Sequence, residues 1–364
     1  MALVPENLKW SLPVPSVQEL AIQGLDKVPP RYVREDVDKI VVASTSDPAL
    51  RVPLIDMNKL VYPDSQEKEV QKLHSACKEW GVFQMIHHGV SDESLTNMRE
   101  QVQGFFDLPF QEKKSWAQKP GNIEGYGQAF VTSEDQKLEW NDMIFLRALP
   151  VESRDLTFWP EKPRDFRKAL NAYSEDMRRV AVSLMRFIAM GLGLEGQQYS
   201  DNYKEGMCDV RVNCYPPCPE PERVMGANPH GDICGITLLL ECGDMPGLQV
   251  LKDGHWVVVE PIYGAMVVNL GYISCRSKYL NYQIPNEIYL IMQIMSNGIY
   301  KAPDHRAMVN KFKQRLSIVT FCYPNSSVDI GPAVELINSE HPPLYKTLTE
   351  AEYFHSYFPT FVSH

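Results

Sequence analysis

Residues 229–241, Pro229-His230-Gly231-Asp232-Ile233-Cys234-Gly235-Ile236-Thr237-Leu238-Leu239-Leu240-Glu241, decide how the chain is read. The run Cys234–Glu241 is apolar and short, as a buried strand is. Just before it stand an imidazole and a carboxylate two positions apart. In a strand or its adjoining turn, residues i and i+2 point the same way, so His230 and Asp232 can share one ion. Alone the match is weak, because nine histidines in 364 residues make a chance His-x-Asp ordinary.

Outward from this stretch, short β-rich runs recur at Val210–Tyr215, Leu248–Leu251, Trp256–Glu260, Ala265–Leu270, Ile299–Asn310 and Leu316–Phe321. Asp253-Gly254 is a hairpin turn signal between two of them. Evenly spaced short strands predict a jelly roll or barrel. Towards the N-terminus the pattern is helical. Asp64 with Glu67 reads as a capping pair for a helix carrying Val70, Leu73, Cys77 and Trp80. Ser91 opens a second helix with Leu95, Met98, Val102, Phe105 and Phe106 on one face. The longest runs from about Asp165 to Met190. Arg51–Asp56 and Gly81–Ile86 are predicted strands, and residues 1–50 read as irregular with one short amphipathic piece near Val17–Leu25. The reading is α+β: a helical N-terminal half before an all-β half, with a double-stranded β-helix (jelly-roll) core and the long helix packed on the barrel.

Composition narrows the function. Lys and Arg number 36 and Asp and Glu 46, a net charge of 36 − 46 = −10. That argues against nucleic acid or an anionic membrane as partner, since both demand basic surface. No apolar run approaches a membrane span, and no secretory signal stands at Met1–Leu20. The eight cysteines form no Cys-x-x-Cys pair. Reduced thiols and a cytoplasmic location are expected.

Two further features join His230 and Asp232. Asp304-His305-Arg306 lies on a later predicted strand, and a jelly roll brings distant strands face to face. Two histidines and one carboxylate on one face form the facial triad of non-haem iron(II) oxygenases. Arg315-Leu316-Ser317 places a guanidinium and a hydroxyl on one strand face, a pairing suited to a carboxylate. Tyr215 offers a phenol to the same group, and Asn213 shares its strand face. A zinc hydrolase using the same His-Asp-His set is a competing reading, though nothing in it explains Arg315-x-Ser317. A non-metal jelly-roll binding protein is another.

Over nearly its whole length the sequence resembles the plant 2-oxoglutarate- and iron(II)-dependent dioxygenases. The carriers are Asn213-Cys214-Tyr215-Pro216-Pro217-Cys218, the order His230-x-Asp232…His305…Arg315-x-Ser317, and Ala76–Gln84 followed by His87-His88-Gly89. Gly125–Phe130, Ser133–Trp140 and Ser11–Leu20 are similar to the branch holding benzylisoquinoline-alkaloid O-demethylases and the dioxygenase-type norcoclaurine synthase. The resemblance implies Fe(II) on His230, Asp232 and His305. It implies 2-oxoglutarate chelating the metal, its distal carboxylate on Arg315, Ser317 and Tyr215 and its chelating end near Asn213. Dioxygen is then the oxidant, ascorbate a reductant, and a small plant specialised metabolite, alkaloid- or flavonoid-like, is hydroxylated or O-demethylated. The implied division is an extension at 1–50, an N-terminal dioxygenase domain at 51–160, a support helix and linker at 161–204, the jelly roll at 205–325 and a tail at 326–364.

Two departures qualify this. Asp232 and His305 stand 305 − 232 = 73 residues apart, more than the family uses, and the excess falls at 272–290. With four Tyr, three Ile and two Asn, residues with AT-rich codons, that stretch reads as a retained intron or a loop insertion at the barrel rim. The tail also looks short of the segment that covers the site mouth in the family. A catalytically impaired member acting as a binding remnant, or a gene-model artefact, is the alternative these departures raise.

Overall fold

The computed structural model describes residues 12–35, 50–128, 131, 133–271, 291–301 and 303–357, with side chains through residue 353. The insertion at 272–290 lies outside the described residues. Twelve strands are described. β1 (Leu54–Asp56), β2 (Val82–Ile86), β3 (Gly125–Gly127) and β4 (Asp142–Leu149) come from the N-terminal half. They are followed by β5 (Cys208–Tyr215), β6 (Ala227–His230), β7 (Ile236–Glu241), β8 (Leu248–Lys252), β9 (His255–Val258), β10 (Met266–Leu270), β11 (His305–Ala307) and β12 (Arg315–Cys322). Eight form a major sheet in the order β1-β2-β10-β7-β12-β5-β4-β3. Four form a minor sheet, β6-β11-β8-β9. Every pairing is antiparallel except β1 with β2.

The period-two alternation of side chains sorts the major sheet into two faces. Leu238, Leu240, Val210, Val212, Met266, Val268, Leu316 and Ile318 pack outward in one core with the helices. The helices of that core are α2 (Met57–Val61), α3 (Pro63–Glu79), α4 (Asp92–Phe106) and α6 (Phe166–Gly191), with Met292 of α8 (Ile291–Met295), which lies between β10 and β11; the other described helices are α1 (Val17–Ile22), α5 (Phe110–Lys113), α7 (Gly196–Asp201) and, after the jelly roll, α9 (Glu350–Tyr357). The stripe Phe166, Leu170, Tyr173, Met177, Val180, Leu184 and Phe187 seats α6 against the sheet. The inner face points at the minor sheet. Val82, Leu239, Val267 and Val319 meet Leu248, Val250 and Val257 there. The same inner face carries Thr237, Glu241, Asn269, Arg315, Ser317, Asn213 and Tyr215, all alternating with the outward residues. The fold is the expected jelly roll with the long helix on its outer face.

Three local expectations are corrected. The halves are not separately helical and all-β, because β1–β4 complete the major sheet. β4 reads Asp-Met-Ile-Phe-Leu-Arg-Ala-Leu and is buried on both faces, so it lacks the alternation that marks a half-exposed strand. α3 begins earlier than an Asp64 cap would set it: Tyr62 is the N-cap without a side-chain bond, and Pro63 takes the first turn, where its missing N–H costs nothing. The run 299–310 holds a strand only at His305–Ala307, because Gly298 and Asn297 at positive φ turn the chain just before it. Ser91 does cap α4, its Oγ accepting from Ser94 N. Asp253 and Gly254, both at positive φ, form the predicted hairpin between β8 and β9.

Candidate metal centre and co-substrate pocket

His230 ends β6 and His305 begins β11, and the two are direct cross-strand partners. Their rings lie 4.3 Å apart between centroids. Asp232 sits two residues past β6, in the loop that crosses to β7. Its Oδ1 is 3.9 Å from His230 Nε2 and 3.6 Å from His305 Nε2. One ligand atom from each residue falls within 4.8 Å of the others, the one such group among the described residues. Asp232 and His305 are buried, while the His230 side chain is 42% exposed. The cluster is thus open on one side.

The surrounding groups fix the donors in ligating form. His230 Nδ1 donates to the Asn228 carbonyl at 2.7 Å, which leaves Nε2 as the nitrogen that faces Asp232 Oδ1. Burial holds His305 neutral, its pKa pushed down to about 4. Burial alone would raise the Asp232 carboxyl. The two imidazoles, the Thr237 hydroxyl and the Asn269 amide outweigh it and hold the group below the usual carboxylate range. Thr237 Oγ1 donates to Asp232 Oδ2 at 2.7 Å and Asn269 Nδ2 at 3.3 Å. Neutral imidazole and anionic carboxylate are the states that metals bind. Two N donors, one O donor and an open flank suit a non-haem ferrous ion with exchangeable positions.

On the inner face of the major sheet β12 and β5 lie in register, Arg315 against Tyr215 and Ser317 against Asn213. The Arg315 Cζ is 5.0 Å from the Tyr215 ring centroid, and Gly226 leaves that ring its room, since a Cβ there would come within 2.7 Å of it. Asn213 Nδ2 donates to Ser317 Oγ at 3.4 Å. Arg315 is 5% exposed, yet its Nε and Nη1 have no hydrogen-bond partner. Two unpartnered nitrogens on a buried guanidinium are costly unless an acceptor arrives, and a ligand carboxylate supplies one. The residues present therefore fit both a metal and a dicarboxylate. β12 belongs to the major sheet and the two histidines to the minor one, so the guanidinium and the imidazoles stand on facing layers.

His230, Asp232 and His305 come together in one cluster, and Arg315, Ser317, Tyr215 and Asn213 share the inner face of β12 and β5. Sequence reasoning missed the supports Thr237, Asn269 and Glu241. Their signal was a polar residue interrupting an otherwise apolar strand, Ile-Thr-Leu-Leu-Leu-Glu and Met-Val-Val-Asn-Leu. It also missed Glu139, whose Oε1 accepts from Asn228 N at 2.8 Å and steadies the strand that carries His230.

Comparison with known proteins agrees with this geometry. Residues 52–162 match the model for the N-terminal region of non-haem dioxygenases in morphine synthesis, and 207–324 match the 2OG-Fe(II) oxygenase superfamily. The chain is 41% identical over 349 residues to an oxoglutarate-dependent flavonoid 7-O-demethylase 1 of Ocimum basilicum, covering 96% of this chain and 88% of that one. It is 37% identical over 341 residues to the codeine O-demethylase of Papaver somniferum, covering 92% and 89%. Its fold matches the crystal structure of JOX2 in complex with 2OG, Fe and JA with a TM-score of 0.81 at 31% identity, over 98% of this chain and 96% of that one. A non-catalytic remnant is not favoured by this set. Iron and 2-oxoglutarate are what the family uses, a small molecule and dioxygen are its other reactants, and no described helix is long and apolar enough to cross a membrane. With two oxygenase models spanning its halves and its polar inner face in register, the chain belongs to the 2-oxoglutarate- and iron(II)-dependent oxygenases, and is an oxidoreductase.

Proposed function

We propose that His230, Asp232 and His305 hold the iron and that Arg315, Ser317, Tyr215 and Asn213 seat 2-oxoglutarate, for hydroxylation or O-demethylation of a flavonoid- or alkaloid-like metabolite. The observation that carries the reading is the convergence of three ligating atoms within 4.8 Å, together with a buried guanidinium with unpartnered nitrogens. When bound, iron and 2-oxoglutarate supply the oxidising chemistry, in which dioxygen converts the keto acid to succinate and carbon dioxide and a substrate C–H to C–OH. The residues of the chain bind and orient. Arg315 with Ser317 fixes the distal carboxylate, and so the reach of the keto end. Thr237 and Asn269 keep Asp232 anionic and aimed. The apolar residues between the sheets keep bulk water from the reacting centre. On a methoxy carbon, hydroxylation yields a hemiacetal that sheds formaldehyde, so demethylation needs no separate machinery.

The substrate class is supported by the 7-O-demethylase and codeine O-demethylase likeness. The net charge of −10 supports the absence of a nucleic-acid or anionic-membrane partner. Free thiols at seven described cysteines support a reducing, cytoplasmic compartment. The test is turnover against methoxylated flavonoids and alkaloids, with formaldehyde and succinate measured together. Stoichiometric release of both with one class supports the reading. Succinate without any oxidised product from either class would remove the substrate assignment, and unchanged turnover in His230→Ala would remove the metal assignment.

A further inference from the structure

The Arg315 guanidinium is not waiting alone. Glu241 is the cross-strand partner of Ser317, on the inner face of β7. Arg315 Nη2 donates to Glu241 Oε1 at 2.5 Å. The pair is almost fully enclosed, with side-chain exposures of 4% for Arg315 and 10% for Glu241. The contact is one-pronged, because Glu241 Oε2 has no hydrogen-bond partner. Of the five guanidinium protons only one is committed to Glu241, so one fork remains able to grip a second carboxylate.

We propose that Glu241 is a positioning residue that sets the affinity for 2-oxoglutarate by sharing Arg315 with its distal carboxylate. The proposal rests on Arg315 being the co-substrate anchor. Two consequences follow from the charges. Without co-substrate, Glu241 neutralises a buried cation that would otherwise stand unpaired, and it holds the guanidinium in one orientation. With co-substrate, two carboxylates flank one guanidinium, and the incoming one meets a pair that is already neutral. Their mutual repulsion across a partly desolvated space weakens binding. A neutral isostere keeps the orienting acceptor and removes the repulsion.

The test is calorimetric titration of the whole chain with Mn(II) as a redox-silent metal, which needs no turnover. Two ligands are compared: 2-oxoglutarate and 2-oxopentanoate, which keeps the chelating end and lacks the distal carboxylate. Glu241→Gln is expected to tighten 2-oxoglutarate at least fivefold and to leave 2-oxopentanoate within twofold. Arg315→Gln, run in parallel, is expected to weaken 2-oxoglutarate at least tenfold. If Glu241→Gln leaves 2-oxoglutarate unchanged or weaker while Arg315→Gln weakens it, the sharing is overturned and the anchor stands. If Arg315→Gln leaves 2-oxoglutarate unchanged, the anchor falls and the sharing with it. Equal tightening of both ligands by Glu241→Gln would also overturn the sharing, since it would not act through the distal carboxylate. Should the glutamine variant lose its cooperative melt, Glu241→Met fills a similar volume without charge, and the same ratio between the two ligands decides.

Discussion

At the scale of single residues, the supports behind the ligands matter as much as the ligands. Thr237→Val keeps the shape of the side chain and removes the proton that Asp232 Oδ2 accepts. Such supporting contacts are worth about 10–100-fold in metal affinity. Metal titration is expected to show a loss in that range with an unchanged melting profile. Away from the site, Glu124 and Asp209 flank Arg147. Glu124 Oε2 accepts from Arg147 N, and Asp209 Oδ1 lies 3.5 Å from Arg147 Nε. Burial pushes Glu124 up to about 7 and Asp209 up to about 6, from 4.5 and 3.8. The folded chain therefore keeps protons that the unfolded chain releases. This contribution is full below pH ~4 and is lost as pH rises to ~7. Denaturant melts are expected to show stability falling across that window, and Glu124→Gln is expected to recover about 1–2 kcal/mol at pH 8. Little of this was legible beforehand. His230, Asp232, His305 and Arg315 announce themselves by type and order. Thr237 and Glu124 acquire their roles only from strands distant in sequence.

At the scale of elements, the loop from β6 to β7 carries Asp232 and leaves no slack. Gly271 follows β10 and its N–H bonds the Gly235 carbonyl. A Cβ on Gly271 would stand 1.6 Å from the Cys234 carbonyl oxygen and 3.2 Å from that of Asp232. That neighbour is backbone, so it cannot rotate away. Gly271→Ala is expected to displace the loop and cost metal affinity more than it costs helix content, readable by titration alongside circular dichroism. The C-terminal tail reaches the same loop, for Tyr353 of α9 donates its hydroxyl to the Ile233 carbonyl. Strand positions were legible where one face is wet or where a turn residue breaks the run, as at Asp253-Gly254. β4 escaped because burial on both faces erases the alternation, and α3 was misplaced because Pro63 started it without the side-chain cap its sequence suggested.

At the scale of the whole molecule, the N-terminal arm ties the layers together. Asp142 on β4 accepts from Ser16 Oγ, Val17 N and Gln18 N at 2.6–3.0 Å, and so seats the start of α1. Further along, Val28 N bonds Glu220, and Leu138 N bonds the Arg31 carbonyl. The arm thus reaches the segment before β4 and the segment after β5. Asp142→Ala would strand four donors, the Tyr126 hydroxyl included, at a cost of about 3 kcal/mol. A lower melting temperature and early proteolytic cleavage within residues 12–35 are the expected signs. The donors of the proposed metal centre are divided in a similar way: the two histidines belong to the minor sheet, whereas the carboxylate is gripped by Thr237 and Asn269 of the major one. An ion seated there is a rivet through both plates of the sandwich, and it favours the folded chain by mass action. Iron starvation would then do more than idle the catalyst. It would loosen the barrel and hand the protein to proteases, making the amount of enzyme, and not only its rate, follow the metal supply.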